Sequence, residues 1–142
     1  MQFRRARKTD LEKTYSMINE LEYFSLDKKK FAKVFLHNIK DKNVHYILAT
    51  EDGQIVGFIS LHIQNLLHHA GKVAEIQELF VDPATRGKGI GEKLINHARK
   101  ITKRLNCDSF ETTSNIKRKR THKFYERKAG MNRTHYKFTE KL

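Results

Sequence analysis

The stretch Glu78-Leu-Phe-Val-Asp-Pro-Ala-Thr-Arg-Gly-Lys-Gly-Ile-Gly91 reads as a buried strand, a break and the mouth of a helix, in that order. Leu79, Phe80 and Val81 form a compact apolar run that stops at Asp82-Pro83. Pro83 cannot donate to a strand ladder and biases Asp82 away from helix, so the strand must end there. Gly87, Gly89 and Gly91 let the backbone come close to a ligand, and a helix starting near Gly89 offers unpaired N–H groups at its first turn. With Arg86 and Lys88 beside it, such a turn is an anion site suited to a pyrophosphate. Residues 86–91 are therefore read as the cradle of a phosphate-bearing cofactor. Taken alone, Gly-x-Gly-x-Gly would equally suit an exposed turn. No Gly-Lys-Ser/Thr follows, so this is no P-loop, and the glycines do not fall in the G-x-G-x-x-G spacing of a dinucleotide fold. The whole succession of strand, Asp-Pro break, glycines and amphipathic helix carries the reading.

Outward from that stretch, the 142 residues are expected to form a single domain, 1–142, with one continuous core. Hydrophobic residues make up 38% and charged residues 32% of the chain, enough apolar matter for a core beneath a very polar surface. No run approaches the ~18 apolar residues of a membrane span, and Met1-Gln-Phe-Arg-Arg5 lacks the apolar stretch of a secretory signal. A lone cysteine, Cys107, cannot form an internal disulfide, which fits a reducing cytoplasm. The net charge of +13 attracts anions at long range and says little about fold.

Periodicity lays out the rest. Phe3–Arg7 suits an edge strand. Thr9 or Asp10 caps a helix carrying Leu11, Tyr15, Ile18 and Leu21, and Asp27 caps a second with Phe31, Val34, Phe35 and Ile39 inward. Lys28-Lys-Lys30 opens that second helix against the favourable dipole sign, which marks a solvated or substrate-facing patch. Val44–Thr50 and Ile55–Ile63 are strands joined by Asp52-Gly53, a strong hairpin turn. A third long strand runs from Val73 to Val81. The helix after Gly89 places Leu94, Ile95, Ala98, Ile101 and Leu105 on one face. A strand over 108–113, a helix over 117–128 and a closing strand over 132–139 complete the order β-α-α-β-β-β-α-β-α-β, a mixed α/β fold.

Arg86-Gly-Lys-Gly-Ile-Gly91 behind an apolar strand resembles the acetyl-CoA motif (Q/R-x-x-G-x-G/A) of the GCN5-related N-acetyltransferase (GNAT) superfamily. A narrower resemblance, to the aminoalkylphosphonate N-acetyltransferases, rests on Leu67-His-His69 with Glu75-Ile-Gln-Glu-Leu79, Thr113-Ser-Asn115 with Lys117-Arg118, His122-Lys-Phe-Tyr125, and Phe138-Thr139. It covers the chain from about residue 60 onward. It implies a mainly antiparallel central sheet flanked by helices, split between the strand ending at Val81 and the one ending near Thr113. A thioester arm would enter that split. The implied reaction moves acetyl from acetyl-CoA to a small primary amine, in particular an aminoalkylphosphonate.

Such a transfer needs a neutral amine, a polarised thioester carbonyl and a proton for the departing thiolate. Primary amines titrate near ~10, so a base must take a proton first. Glu75 and Glu78 lie on the strand that feeds the cradle, and the resemblance points to Glu75 as base. Strict alternation puts Glu75 on the face of Gln77, Leu79 and Val81 with Glu78 opposite; a bulge would flip that parity and keep Glu78 as the alternative, or as a substrate contact. Tyr125 is the implied general acid. Backbone N–H groups around Leu79, Phe80 and Val81 would hold the thioester oxygen, and losing one such donor typically costs ~3 kcal/mol in barrier. Asn115 suits either the pantetheine amides or the cap of the next helix. Cys107 is far along the chain from any base, which favours direct transfer over an acetyl-cysteine.

His62, His68, His69 and Glu75 form a local group suited to a divalent metal or, at His68, a phosphonate oxygen, and the resembled family is associated with divalent-metal stimulation. Adjacent histidines on a strand face opposite sides, however, so a polar strand end explains them as well. The basic run Lys117–Lys123 reads mostly as a solvated helix face. Gly130 lies five residues beyond Tyr125 where the family pattern has four, which implies a longer or bulged helix end, and Met131 stands where an aromatic is usual. The expected partners are a small amine and acetyl-CoA, with a second copy of the chain, in a homodimer, as a further candidate. A basic nucleic-acid module is the rival from another class, but the chain lacks interleaved surface aromatics and any groove-reading motif.

Overall fold

The computed structural model describes residues 1–142. One five-stranded sheet runs β1 (Gln2–Arg5), β2 (Val44–Glu51), β3 (Gln54–Leu66), β4 (Gly71–Val81) and β5 (Ser109–Thr112), in that spatial order. The first three pairings are antiparallel and β4–β5 is parallel. This is the mixed, mainly antiparallel sheet expected. At the β2–β3 hairpin both Asp52 (φ 50°) and Gly53 (φ 76°) take the left-handed conformation, as a two-residue turn requires.

Helices cover both faces. Helix α3 (Ile90–Arg104) buries Ile90, Leu94, Ile95, Ala98 and Ile101 against Ile47, Ile59, Leu61, Ala74 and Ile76. Helix α1 (Leu11–Glu22) lays Met17 and Ile18 on the opposite face, over Leu48, Phe58 and Phe80. Asp10 precedes α1 but makes no side-chain cap bond to it. Its carboxylate turns back instead, accepting from Arg7 N at 2.6 Å and from both Arg4 guanidinium nitrogens at 2.8 Å. Asp27 does cap α2 (Lys28–Asn38), accepting from Lys30 N at 2.8 Å.

Three expectations need correction. Only Phe35 of the four inward residues expected on α2 is buried; Val34 is 55% exposed, because α2 stands off the sheet and leaves a cavity beneath it. Helix α4 spans Lys119–Arg127, two residues later than expected, since Asn115 holds the chain in a turn first. Residues 132–139 form no strand. Alternation alone does not make a strand: Tyr136 and Phe138 are about nine-tenths exposed, with no apolar face to cover, and the outer edge of β5 stays unpaired. The longer turn expected after Tyr125 is present: Ala129 N donates to Phe124 O and Met131 N to Tyr125 O, with Gly130 at φ 65°.

Candidate active site

Three features meet where β4 leaves β5. The first is a bulge. Leu61 pairs with Ile76, but Ile59 pairs with Leu79, so Gln77 and Glu78 together oppose the single residue Ser60. The extra residue shifts the parity of the strand. Glu75, paired with His62, and Glu78, opposite Ser60, therefore share one face with Phe80, while Leu79 and Val81 turn toward the α3 side. Ser60 fixes the bulge from both directions: its hydroxyl accepts from Glu78 N at 3.0 Å and donates to the Glu78 carboxylate.

The second feature is the split. Parallel pairing ends at Ile76–Thr112, where the Thr112 hydroxyl donates to Ile76 O at 3.2 Å. Beyond that pair β4 has only β3 as a neighbour, and its outer edge from Gln77 to Val81 is open. The bulge bends β4 at the same residues, which accounts for the parting of the two strands.

The third is the cradle. After Val81, Asp82 caps a short 3-10 turn by accepting from Ala84 N at 2.9 Å, with Pro83 at its first position. Gly87 and Gly89 then adopt φ +85° and +74°; an added Cβ would meet nothing within 4 Å at either, so it is the backbone conformation that demands glycine. None of the backbone N–H groups from Gly87 to Glu92 meets a protein acceptor, and α3 starts on Gly89 with no side-chain cap. That is a nest of donors at the positive end of a 15-residue helix. Gly91 serves packing: its Cβ would lie 3.2 Å from the Phe124 ring. Lys88 is exposed, and Arg86 Nε donates to Val81 O at 3.1 Å, bracing the strand end.

Tyr125 comes to the split from α4, packed against the α3-side core near Thr112. Burial pushes its phenol up, with the Thr112 hydroxyl and the Arg118 charge pulling the other way. It is therefore a protonated group at neutral pH. Arg118 donates to Leu21 O at 3.0 Å, tying the start of α4 to the end of α1. Cys107 lies before β5, and partial burial pushes its thiol up, away from the reactive thiolate.

On the Glu78 face, the gap under α2 is a cavity of about 330 Å³ walled by Phe31, Phe35, Tyr46 and Phe58. Glu78, Asp27 and Lys30 are its charged residues; Glu75 does not line it. Glu75 sits deeper along the strand, paired with His62 and Glu111. Sequence reasoning missed Ser60, Thr14, Tyr46 and Phe58. Ser60 left no signal except its place opposite the two carboxylates once the hairpin is drawn.

Other expected contacts are not brought together. His68 lies in the 3-10 turn Leu67–His69 beyond the far end of β4, roughly 30 Å of strand from the cradle. The structure does not bring it together with the cradle. His69 instead approaches Glu111 at 3.4 Å. No three His, Cys, Asp or Glu side chains converge as metal ligands would, so the residues present do not fit the divalent metal. The Asn115 carboxamide oxygen accepts from Lys117 N at 2.9 Å, closing a turn ahead of α4 rather than capping the helix, whose N-cap is Arg118 and carries no side-chain cap bond.

A five-stranded mixed sheet parted at β4–β5, with a donor nest opening the helix that follows β4, defines an acyl-CoA-dependent N-acyltransferase. Comparison with known proteins agrees. The model of the acetyltransferase (GNAT) family matches residues 11–131, and the chain belongs to that family. It is 41% identical, over 99% of its length and 91% of the other's, to an aminoalkylphosphonate N-acetyltransferase of Salmonella typhimurium. A probable glucosamine 6-phosphate N-acetyltransferase of Oryza sativa is 29% identical over 75% of this chain and 69% of that one. Among solved structures, a putative acetyltransferase from Agrobacterium tumefaciens superposes with TM-score 0.88 at 24% identity over all of both chains. An aminoglycoside antibiotic 6'-N-acetyltransferase from Acinetobacter haemolyticus superposes with TM-score 0.85 at 20% identity, covering 100% of this chain and 99% of that one. The last two likenesses bear on the fold. No helix is long and apolar enough to cross a membrane.

Proposed function

We propose that the protein acetylates the amine of a small aminoalkylphosphonate by direct transfer from acetyl-CoA, both substrates being bound at once. The observation that carries the reading is the run of free N–H groups from Gly87 to Glu92 beside the open edge of β4. Those groups and Lys88 suit a diphosphate, and the open edge suits the amides of an extended arm. The 41% identity to an aminoalkylphosphonate N-acetyltransferase supports the substrate class. The raised Cys107 thiol supports direct transfer over an acetyl-cysteine.

Acetyl-CoA supplies the activated acetyl group. Glu78, rather than Glu75, takes the proton from the incoming ammonium, because its carboxylate lines the cavity and Ser60 holds it there. A new C–N bond forms as the C–S bond breaks. Free N–H groups on the outer edge of β4, between Leu79 and Val81, face the oxygen where negative charge develops. Tyr125 gives its phenolic proton to the departing thiolate, a transfer between groups of similar basicity, and is restored by the second proton that the nitrogen sheds as it becomes an amide.

Two measurements test this. Acetyl-CoA should raise the melting temperature, by ~2.7 kcal/mol of added stability at a hundredfold excess over Kd, and an unchanged melt at saturating acetyl-CoA removes the enzyme reading. Thiol release should then be fastest with aminoalkylphosphonates in a panel that includes amino sugar phosphates, aminoglycosides and N-terminal peptides. Preference for another member reassigns the substrate while leaving the chemistry intact.

A further inference from the structure

The cavity under α2 holds polar groups that acetyl transfer itself does not use. Thr14, from α1, is 1% exposed, lines the cavity, and its hydroxyl has no hydrogen-bond partner. A buried unpaired hydroxyl costs ~1–3 kcal/mol unless a ligand or water completes it. Lys30, from the first turn of α2, lines the same cavity. The lysine triplet that opens α2 divides there by role. Lys28 pairs with Glu12 at 2.8 Å and rests over the Tyr15 ring; all three lysines are exposed, and only Lys30 lines the cavity. The Lys30 ammonium makes no ion pair; only its backbone N–H is engaged, by Asp27.

The remaining charge of the cavity is negative and already assigned. Asp27 is held by its cap bond, and Glu78 is held by Ser60. The other walls are aromatic and aliphatic. An occupant must therefore be short, carry an amine for Glu78, be apolar in its middle and end in an oxyanion able to accept a hydrogen bond from the Thr14 hydroxyl and a charge-assisted bond from Lys30.

We propose that Thr14 and Lys30 form the oxyanion subsite that selects amines bearing a compact phosphorus oxyanion over neutral amines. The inference rests on the function proposed above and gives that function its specificity-determining residues. A lysine suits this task as a point charge, tolerant of the three-fold shape of a phosphonate.

The test is a selectivity ratio: kcat/KM for an aminoalkylphosphonate divided by kcat/KM for the neutral alkylamine of equal length. Lys30→Ala should lower that ratio at least about tenfold, the size of one charge-assisted contact, and Lys30→Arg should restore most of it. Thr14→Val, which keeps the shape and removes an orphan hydroxyl, should lower the ratio several-fold without lowering the melting temperature. A purely structural threonine would show the reverse. Unchanged ratios in both variants overturn the proposal. If the wild-type enzyme acetylates no aminoalkylphosphonate, the substrate reading fails by itself, and methylphosphonate binding by calorimetry then decides the subsite. Binding by wild type that is lost in Lys30→Ala upholds it; no binding, or equal binding by both, overturns it.

Discussion

Glu75 and Glu78 differ by three positions and would be separated by parity in an unbroken strand; one extra residue opposite Ser60 puts both on the same face. Only Glu78 then reaches the cavity. Glu78→Gln should lower kcat by about 10²-fold or more, the usual contribution of a positioned base, while Glu75→Gln should change it little; the reverse ranking in steady-state assays would return the role to Glu75. Tyr125→Phe in the same assay should cost a similar factor in kcat and leave the calorimetric Kd for acetyl-CoA unchanged. Because burial raises the Tyr125 phenol, the acid stays protonated up to and beyond its ordinary ~10. The deficit of the phenylalanine variant should therefore persist through the neutral range. Loss of acetyl-CoA affinity along with rate would make Tyr125 a packing residue. The two carboxylates were legible as candidates from composition of the strand alone. The choice between them was not, because a bulge is a property of register with β3, and register is set by residues that lie thirteen (His62 from Glu75) to eighteen (Ser60 from Glu78) positions away in the hairpin.

Among the elements, those whose signal is local match their sequence. The Asp-Gly hairpin, the amphipathic α3 and the Asp-Pro strand end each rest on a backbone preference confined to a few residues. The misread elements depended on distant partners. Helix α2 shows helical periodicity, yet periodicity reports which side is apolar, not how closely the sheet approaches it, and here the apolar side lines a cavity. Residues 132–139 alternate like a strand but find no ladder at β5. The backbone of the glycine turn at residues 87–89 is the best-read part, because glycine is the only ready solution to its dihedrals. Gly89→Ala tests that account. With no atom within 4 Å of the new methyl group, the penalty is conformational, about 1–2 kcal/mol for a left-handed L-residue. Acetyl-CoA affinity by calorimetry should fall several-fold as the N–H groups at the start of α3 turn away, with the melting point down by a few degrees. Equal affinity in the variant would show that the donors at Gly89 do not hold the diphosphate.

Over the whole molecule, charge decides how the fold responds to acid. At +13 with neutral histidines, each proton added below neutrality increases self-repulsion, so acid stability depends on the few groups that resist protonation. Burial lowers His45, helped by the charges of Arg5 and Arg104, and it also lowers His97, which stacks on Phe3 with Lys100 and Arg104 nearby. In the unfolded chain both titrate near ~6.5. The unfolded state thus takes up protons first, and stability present above ~6.5 is lost as pH falls through the depressed folded values. Asp10 acts in a lower window. Its side-chain bonds to Arg4 hold the carboxyl below the ordinary carboxylate range, so its contribution is present above ~3.9 and is lost as pH falls toward the folded value. Melting temperatures taken from pH 8 to pH 3 should therefore decline in two stages. His45→Asn should flatten the first stage, since it removes a group that must charge on unfolding. Asp10→Asn should lower stability by about 2 kcal/mol at pH 7, a value discounted from a fully buried pair because Arg4 is one-third exposed, and should abolish most of the second stage. If both variants kept the wild-type profile, acid sensitivity would lie in the general charge excess, and 0.5 M salt, by screening it, would then remove both stages together.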